Sequence, residues 1–188
     1  MVMPRLKKLF LVLLTGIVGC FLVFHLTRFS FKQAIDHVDV LAIERALATG
    51  ADPNAEFRMA WIEYRTTTRP LSYSVSKGQF SIVSLLLNHS CNPNLTDYNG
   101  QTAFMNIFTS EIRAEIEKEL FDLLIKVTDL TMRDNSGQNA LHLAARFGEK
   151  SEYDAIFAAD PSLGDVRDRI GNTPLMYLNR DENSLQRK

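Results

Sequence analysis

Asp134-Asn135-Ser136-Gly137-Gln138-Asn139-Ala140-Leu141-His142-Leu143-Ala144-Ala145-Arg146-Phe147-Gly148 opens on a turn and runs straight into a short apolar helix. Gly137 suits a turn that needs a positive φ. Ala144 and Ala145 are small enough for neighbouring helices to approach closely, and Leu141 can fill the space between them. The same register returns at Arg69-Pro70-Leu71, at Thr102-Ala103-Phe104 and at Thr173-Pro174-Leu175, where a capping residue precedes a proline tolerated at the first helical position. These helix starts lie 33, 37 and 34 residues apart. A second signature, Gly50-Ala51-Asp52-Pro53-Asn54, returns as Ser90-Cys91-Asn92-Pro93-Asn94, each time closing an amphipathic stretch. A turn that returns at such a period after a pair of helices means stacked units, each burying its apolar face against the next.

The Asp134–Gly148 unit resembles the ankyrin repeat, in which a turn leads into Thr-Pro-Leu-His-x-Ala-Ala and then Gly. The resemblance implies an all-α solenoid over residues 31–188, with about four repeats and a partial carboxy-terminal one. His142, at the motif's histidine, is expected to bond the turn of a neighbouring unit. The other repeats are more worn. The second has Pro70 to Gly78 as its first helix and Ile82, Val83, Leu86 and Leu87 as the apolar face of its second. The third carries about four extra residues before Glu119-Leu120, in its first helix or its connecting loop. The first keeps Phe31, Ala34 and Ile35, then Ala42, Ile43, Ala46 and Leu47, without a leading turn, as an amino-terminal cap would. The fifth has room for a first helix and a polar tail.

Ahead of the repeats, residues 1–8 are basic through Arg5, Lys7 and Lys8, and Leu9 to Leu26 is an 18-residue run without Asp, Glu, Lys or Arg. As a helix that run spans roughly 27 Å, close to the thickness of the hydrocarbon core. The reading is a single transmembrane or signal-anchor helix. Ile17-Val18-Gly19-Cys20 is similar to a bacterial lipobox, which would make Cys20 a lipidation site, but Phe21-Leu22-Val23-Phe24 continue the apolar run past it. A retained anchor, a lipid anchor and a cleaved signal therefore stay open, the first favoured. Basic residues are denser before the run than just after it, so the carboxy-terminal domain is expected in the periplasm, held at the inner membrane, or lipid-anchored there in the alternative.

Charge separates the two parts. Residues 1–32 hold five Lys or Arg and no acid, leaving 16 basic against 22 acidic residues and a formal charge of −6 for the remainder. An acidic domain argues against nucleic acid and favours a neutral or basic protein. Two cysteines make no disulfide framework, and Cys91 reads as a buried thiol. No phosphate-cradling glycine loop, metal-ligand spacing or nucleophile elbow is present, and the Asp and Glu residues read as solvent-facing. Glu111, Glu115, Glu117 and Glu119 with Arg113 and Lys118 form one such solvated face. The expectation is no enzyme, no cofactor, no metal and no small-molecule substrate.

Binding residues follow from the resemblance, because ankyrin repeats bind proteins through turn tips and the concave face of their first helices. The turn tips are Tyr98, Asn99 and Gln101, then Asn135, Ser136 and Gln138, then Arg169, Ile170 and Asn172. On the first helices the exposed pairs are Ser76 with Lys77 and Arg146 with Phe147, Phe147 serving either as a contact or as packing for a neighbouring turn. The turn entering the second repeat is seven residues longer than its equivalent and contains Arg58, Trp61, Tyr64 and Arg65. Such residue types dominate binding hot spots, so this loop reads as a binding finger, or else as a lid folded over the first repeat. Function is then expected to be a membrane-tethered protein-binding module in a bacterial envelope. Short anchored ankyrin proteins of this kind look like immunity partners of secreted antibacterial toxins. The alternative is an accessory subunit that holds another envelope protein or enzyme at the membrane.

Overall fold

The computed structural model describes residues 31–58, 67–110 and 118–178. The basic start over 1–8, the apolar run 9–26 with Cys20, and Trp61, Tyr64 and Arg65 lie outside the described residues. No helix among the described residues is long and apolar enough to cross a membrane. By its internal contacts the chain divides into a segment ending at Asp52 and one beginning at Pro53.

The first segment contains a helix over 31–36 (α1) and a second, α2 (Val40–Ala48). Asp39 starts α2 by accepting the Ala42 N–H at 3.0 Å, which satisfies one of the amides a helix start leaves open. Phe31, Ala34, Ile35 and Ile43 are buried.

The second segment opens with two short strands, β1 (Phe57–Arg58) and β2 (Thr67–Thr68), paired antiparallel with Phe57 opposite Thr68 and Arg58 opposite Thr67. This pair of two-residue strands is a local addition to an otherwise helical, all-α repeat fold. The extra residues of this turn lengthen its two arms until their backbones pair. Helices follow in order: α3 (Pro70–Ser76), α4 (Phe80–Asn88), α5 (Ala103–Thr109), α6 (Lys118–Val127), α7 (Ala140–Phe147), α8 (Lys150–Ala159), and α9 over 174–178, with a 3-10 turn at Pro161–Asp165 before the last. The added length of the third repeat falls between Ser110 and Lys118, since α5 and α3 are each 7 residues long.

Helix starts obey local chemistry. Arg69 is extended, with ψ 157°, as the residue before a proline must be, and Pro70 takes the first helical position. Thr102 and Asn139 accept the N–H groups of Met105 and His142 at 3.3 and 3.0 Å. The helices then divide into two layers. α3 packs on α4 and α5, and α5 packs in turn on α6 and α7, so first helices have neighbours on several sides. Residues 70–75 of α3 and 140–145 of α7 are accordingly all buried. Second helices bury one stripe: Ile82, Val83 and Leu86; Leu120, Phe121 and Leu124; Tyr153 and Ile156. Each fully buried aliphatic side chain contributes about 1.5–3 kcal/mol. In the third repeat Phe104, Phe108 and Phe121 pack as a ring cluster, with centroids 5.4 to 6.4 Å apart.

Candidate functional site

The loops before α5, α7 and α9 are one device built three times. A carboxylate only accepts, and here one of its oxygens gathers two backbone amides. Asp97 Oδ1 accepts from Asn99 and Gln101 at 2.8 and 3.0 Å, Asp134 Oδ1 from Ser136 and Gln138 at 2.8 and 2.9 Å, and Asp168 Oδ1 from Ile170 and Asn172 at 3.0 and 2.9 Å. Successive turns join tip to tip: the Asn135 N–H donates to Asn99 O at 2.9 Å and the Arg169 N–H to Ser136 O at 3.0 Å. Gly137 lies at this seam with φ +77°, and a Cβ there would stand 3.1 Å from the Arg169 nitrogen. Both the backbone angle and the close approach call for glycine.

Behind the tips runs a buried polar ladder, which corrects two sequence expectations. Gln101 and Gln138, read as turn-tip contacts, are only 9% and 5% exposed. Their side-chain amides point inward and donate to Oδ2 of Asp134 and of Asp168, each at 3.4 Å. Asp134 and Asp168, read with the other acids as solvent-facing, are buried as the acceptors of that ladder. At the carboxy-terminal end Tyr177 adds a 2.6 Å hydrogen bond from its hydroxyl to Asp168 Oδ2. Burial pushes the Asp168 carboxyl up, but the hydroxyl of Tyr177, the amides of Asn172 and Ile170 and the side chain of Gln138 together hold it below the ordinary carboxylate value.

His142 reaches the next turn, as its motif position implies, with Nε2 3.1 Å from Asn172 O. A carbonyl only accepts, so the ring proton sits on Nε2 and Nδ1 is free to accept the Asn139 N–H at 3.3 Å. Nδ1 also lies 2.6 Å from Asn139 Oδ1, a contact that would become a hydrogen bond if the ring took a second proton. Burial opposes that and pushes the imidazole below its ordinary value, outweighing the Asn172 carbonyl and the Asp168 charge that pull upward. The thiol of Cys91 is buried, 3.5 Å from Pro53 O.

Between the turns and the first helices lies an open groove of about 690 Å³. Ser72, Tyr73, Ser76 and Lys77 of α3 form one wall, Asn106 and Thr109 of α5 another, and the turns around Asp97 and Asp134 close the side, with Thr67 and Thr68 of β2 at the rim. The expected contact residues Lys77, Tyr98, Asn99 and Asn135 all border this groove, and Tyr98 is 54% exposed. Asn135 is partly committed already, donating from Nδ2 to Tyr98 O at 3.0 Å. Arg146, Phe147 and Arg169 are exposed but do not line it. The Arg146 guanidinium lies 4.7 Å above the Phe147 ring and 5.8 Å from that of Tyr177. Arg58 is placed by its backbone in β1, and Trp61, Tyr64 and Arg65 fall outside the described residues. Ser72, Tyr73, Asn106 and Thr109 were not anticipated as lining. Their one sequence signal is polarity inside otherwise apolar helices, as in Ser72-Tyr73-Ser74-Val75-Ser76. Among the described residues no group of three or more His, Cys, Asp or Glu could hold a metal ion.

Residues 69–98 match the family model of the ankyrin repeat. The chain is similar to a poly(ADP-ribose) polymerase, tankyrase, of Caenorhabditis elegans, with 30% identity over 135 residues, covering 57% of this chain and 6% of that protein. It is also similar to a 2-5A-dependent ribonuclease of Mus musculus, with 35% identity over 77 residues, covering 40% of this chain and 10% of that protein. The chain thus spans a tenth or less of the length of either relative. A mostly helical architecture with an ankyrin repeat over residues 69–98 supports an all-α repeat fold, and ankyrin repeats are protein-interaction modules.

Proposed function

We propose that the groove holds a segment of a protein partner and that the apolar run 9–26 tethers this module to the membrane with its repeats in the periplasm. The observation that carries the binding reading is the concavity itself. A groove of about 690 Å³ falls within the usual range of binding clefts, and seven of the residues named from sequence as turn tips or first-helix contacts line it. Tethering is supported by the length and apolarity of 9–26 and by the basic residues before it. Within that setting the partner is a secreted antibacterial toxin, which the module binds and neutralises. Trp61 and Tyr64, which follow β1 in the sequence, are further contacts in this reading. The activities of the two relatives are not carried over, since the similarity covers so little of them.

The test uses the full chain in its own strain. Tyr98→Ala should weaken the partner recovered with wild-type protein by about 2 kcal/mol, roughly thirtyfold in dissociation constant, without shifting the melting temperature. Unchanged recovery with Tyr98→Ala and Lys77→Ala combined would move the site away from the groove. A reporter active only in the periplasm, fused after Lys188, checks the topology; signal from a cytoplasm-only reporter at that point would reverse it.

A further inference from the structure

The fourth residue after each helix cap is Tyr73, Asn106, Leu143 and Tyr177 in successive repeats, and it decides what the inner oxygen of the adjacent turn aspartate receives. Beside Tyr177, Asp168 Oδ2 accepts both the tyrosine hydroxyl at 2.6 Å and the Gln138 amide at 3.4 Å. Leu143 offers no such donor, and among the described residues Asp134 Oδ2 accepts the Gln101 amide at 3.4 Å and no other side chain. Asp97 shares the groove with Asp134; burial pushes its carboxyl above the ordinary value, with the charge of Asp134 adding to that, and this outweighs the amides of Gln101 and Asn99 and the side chain of Asn106, which pull it down. Among the described residues neither carboxylate makes an ion pair with a Lys or Arg. Lys77, the cation among the described residues that line the groove, has its ammonium 5.6 Å over the Tyr73 ring instead.

A second observation points into the same space. Ser72 lines the groove, is only 2% exposed, and its hydroxyl has no hydrogen-bond partner among the described residues. A buried hydroxyl left open costs stability unless something completes it. The groove therefore combines two under-compensated carboxylates, an open hydroxyl and two tyrosine rings, Tyr73 and Tyr98, one of which already has a cation near its face.

We infer that the groove recognises an arginine side chain presented by an extended segment of the partner. This rests on the groove being the binding site. A guanidinium carries five donors in a flat fork and no acceptor, so it can serve both carboxylates and the Ser72 hydroxyl while its plane lies against a tyrosine ring. Lysine offers the charge, but as a compact and strongly hydrated ammonium with no fork. Lys77 yields the Tyr73 face when the guest enters. The formal charge of the chain beyond residue 32, −6, favours such a guest at longer range.

The experiment selects a phage library of random 12-residue peptides on the full chain, then synthesises the tightest peptide whose binding is lost in Tyr98→Ala. That peptide is expected to contain an arginine whose replacement by citrulline, of the same shape without the charge, weakens binding at least about tenfold. Replacement by lysine should fall in between. Asp97→Asn keeps an oxygen for the turn amides and should lower the arginine-to-citrulline ratio, leaving the part that Asp134 supplies. Because the citrulline comparison changes only the peptide, a poorly folded Asp97 variant leaves it intact. Groove-dependent peptides that bind equally with arginine or citrulline would overturn the inference and leave the groove reading standing. A selection that returns no peptide dependent on Tyr98 or Lys77 would overturn both.

Discussion

Ser72 and His142 occupy the same register position on α3 and on α7, and the two positions behave oppositely. His142 spans to the following turn and bonds its carbonyl at 3.1 Å. Ser72 is too short to do so, and its hydroxyl has no partner among the described residues. The polar ladder behind the tips diverges in the same direction: Asp168 is completed by Tyr177, whereas Asp134, opposite Leu143, is not. The ladder is thus closed at its carboxy-terminal end, at Asp168, while Ser72 of the second repeat and Asp134 at the start of the fourth remain open beside the groove. One repeat template serves stability where its hydrogen bonds close and binding where they do not.

The largest effect expected from breaking the closed side comes from its apolar packing. Leu141 is fully buried on α7. Leu141→Ala should cost about 2–5 kcal/mol in urea unfolding, a large part of a typical total of about 5–15 kcal/mol. A loss under about 1 kcal/mol would mean that α7 is not the packed centre of the closed side.

His142 comes next and has a pH signature. Replacing it with Ala removes the link to Asn172 O and leaves a half-buried carbonyl and the buried Asn139 amide incomplete, at a cost of about 1–3 kcal/mol. Its pKa is lower in the folded chain than in the unfolded one, so between those two values the unfolded state binds more protons. Stability should therefore hold above the unfolded value of roughly 6.5 and fall as pH drops from there toward the folded value. Asp168, held low when folded, contributes stability that is lost only in stronger acid, as pH falls through its folded value. Urea midpoints between pH 5 and 8 for wild type and His142→Ala measure the difference. Equal slopes in the two proteins would remove His142 as the group responsible.

Much of this architecture was legible in the sequence because its signals are local. A proline after an extended residue marks the start of α3, and Thr102 marks that of α5, since each acts through its own backbone neighbours. Gln101 and Gln138 were misread as tip residues because a turn looks polar throughout and the inward direction of its last residue depends on the next repeat. Their recurrence four residues after Asp97 and Asp134, with Asn172 in the same place after Asp168, was the available sign of a ladder. The groove was harder still. Concavity arises from how repeats stack, and neither Ser72 nor Asn106 carries a neighbouring residue that announces it.

The smallest expected effect is the sharpest test of the open side. Ser72→Ala removes a hydroxyl that is buried without a partner among the described residues, and alanine is also the better helix former by a few tenths of a kcal/mol. Both terms favour the variant, and the methyl group that remains still fills most of the space. The expected outcome is a neutral to slightly stabilising change, up to about 1 kcal/mol, in the direction opposite to His142→Ala at the same register position. Urea unfolding of the two single variants and the double variant checks it. The effects should add within about 0.5 kcal/mol, since the two sites share no hydrogen-bond partner. A loss of more than about 1 kcal/mol from Ser72→Ala would mean that the hydroxyl is satisfied in solution. The Ser72 position on α3 would then be as closed as the His142 position on α7, and the contrast between them would fail.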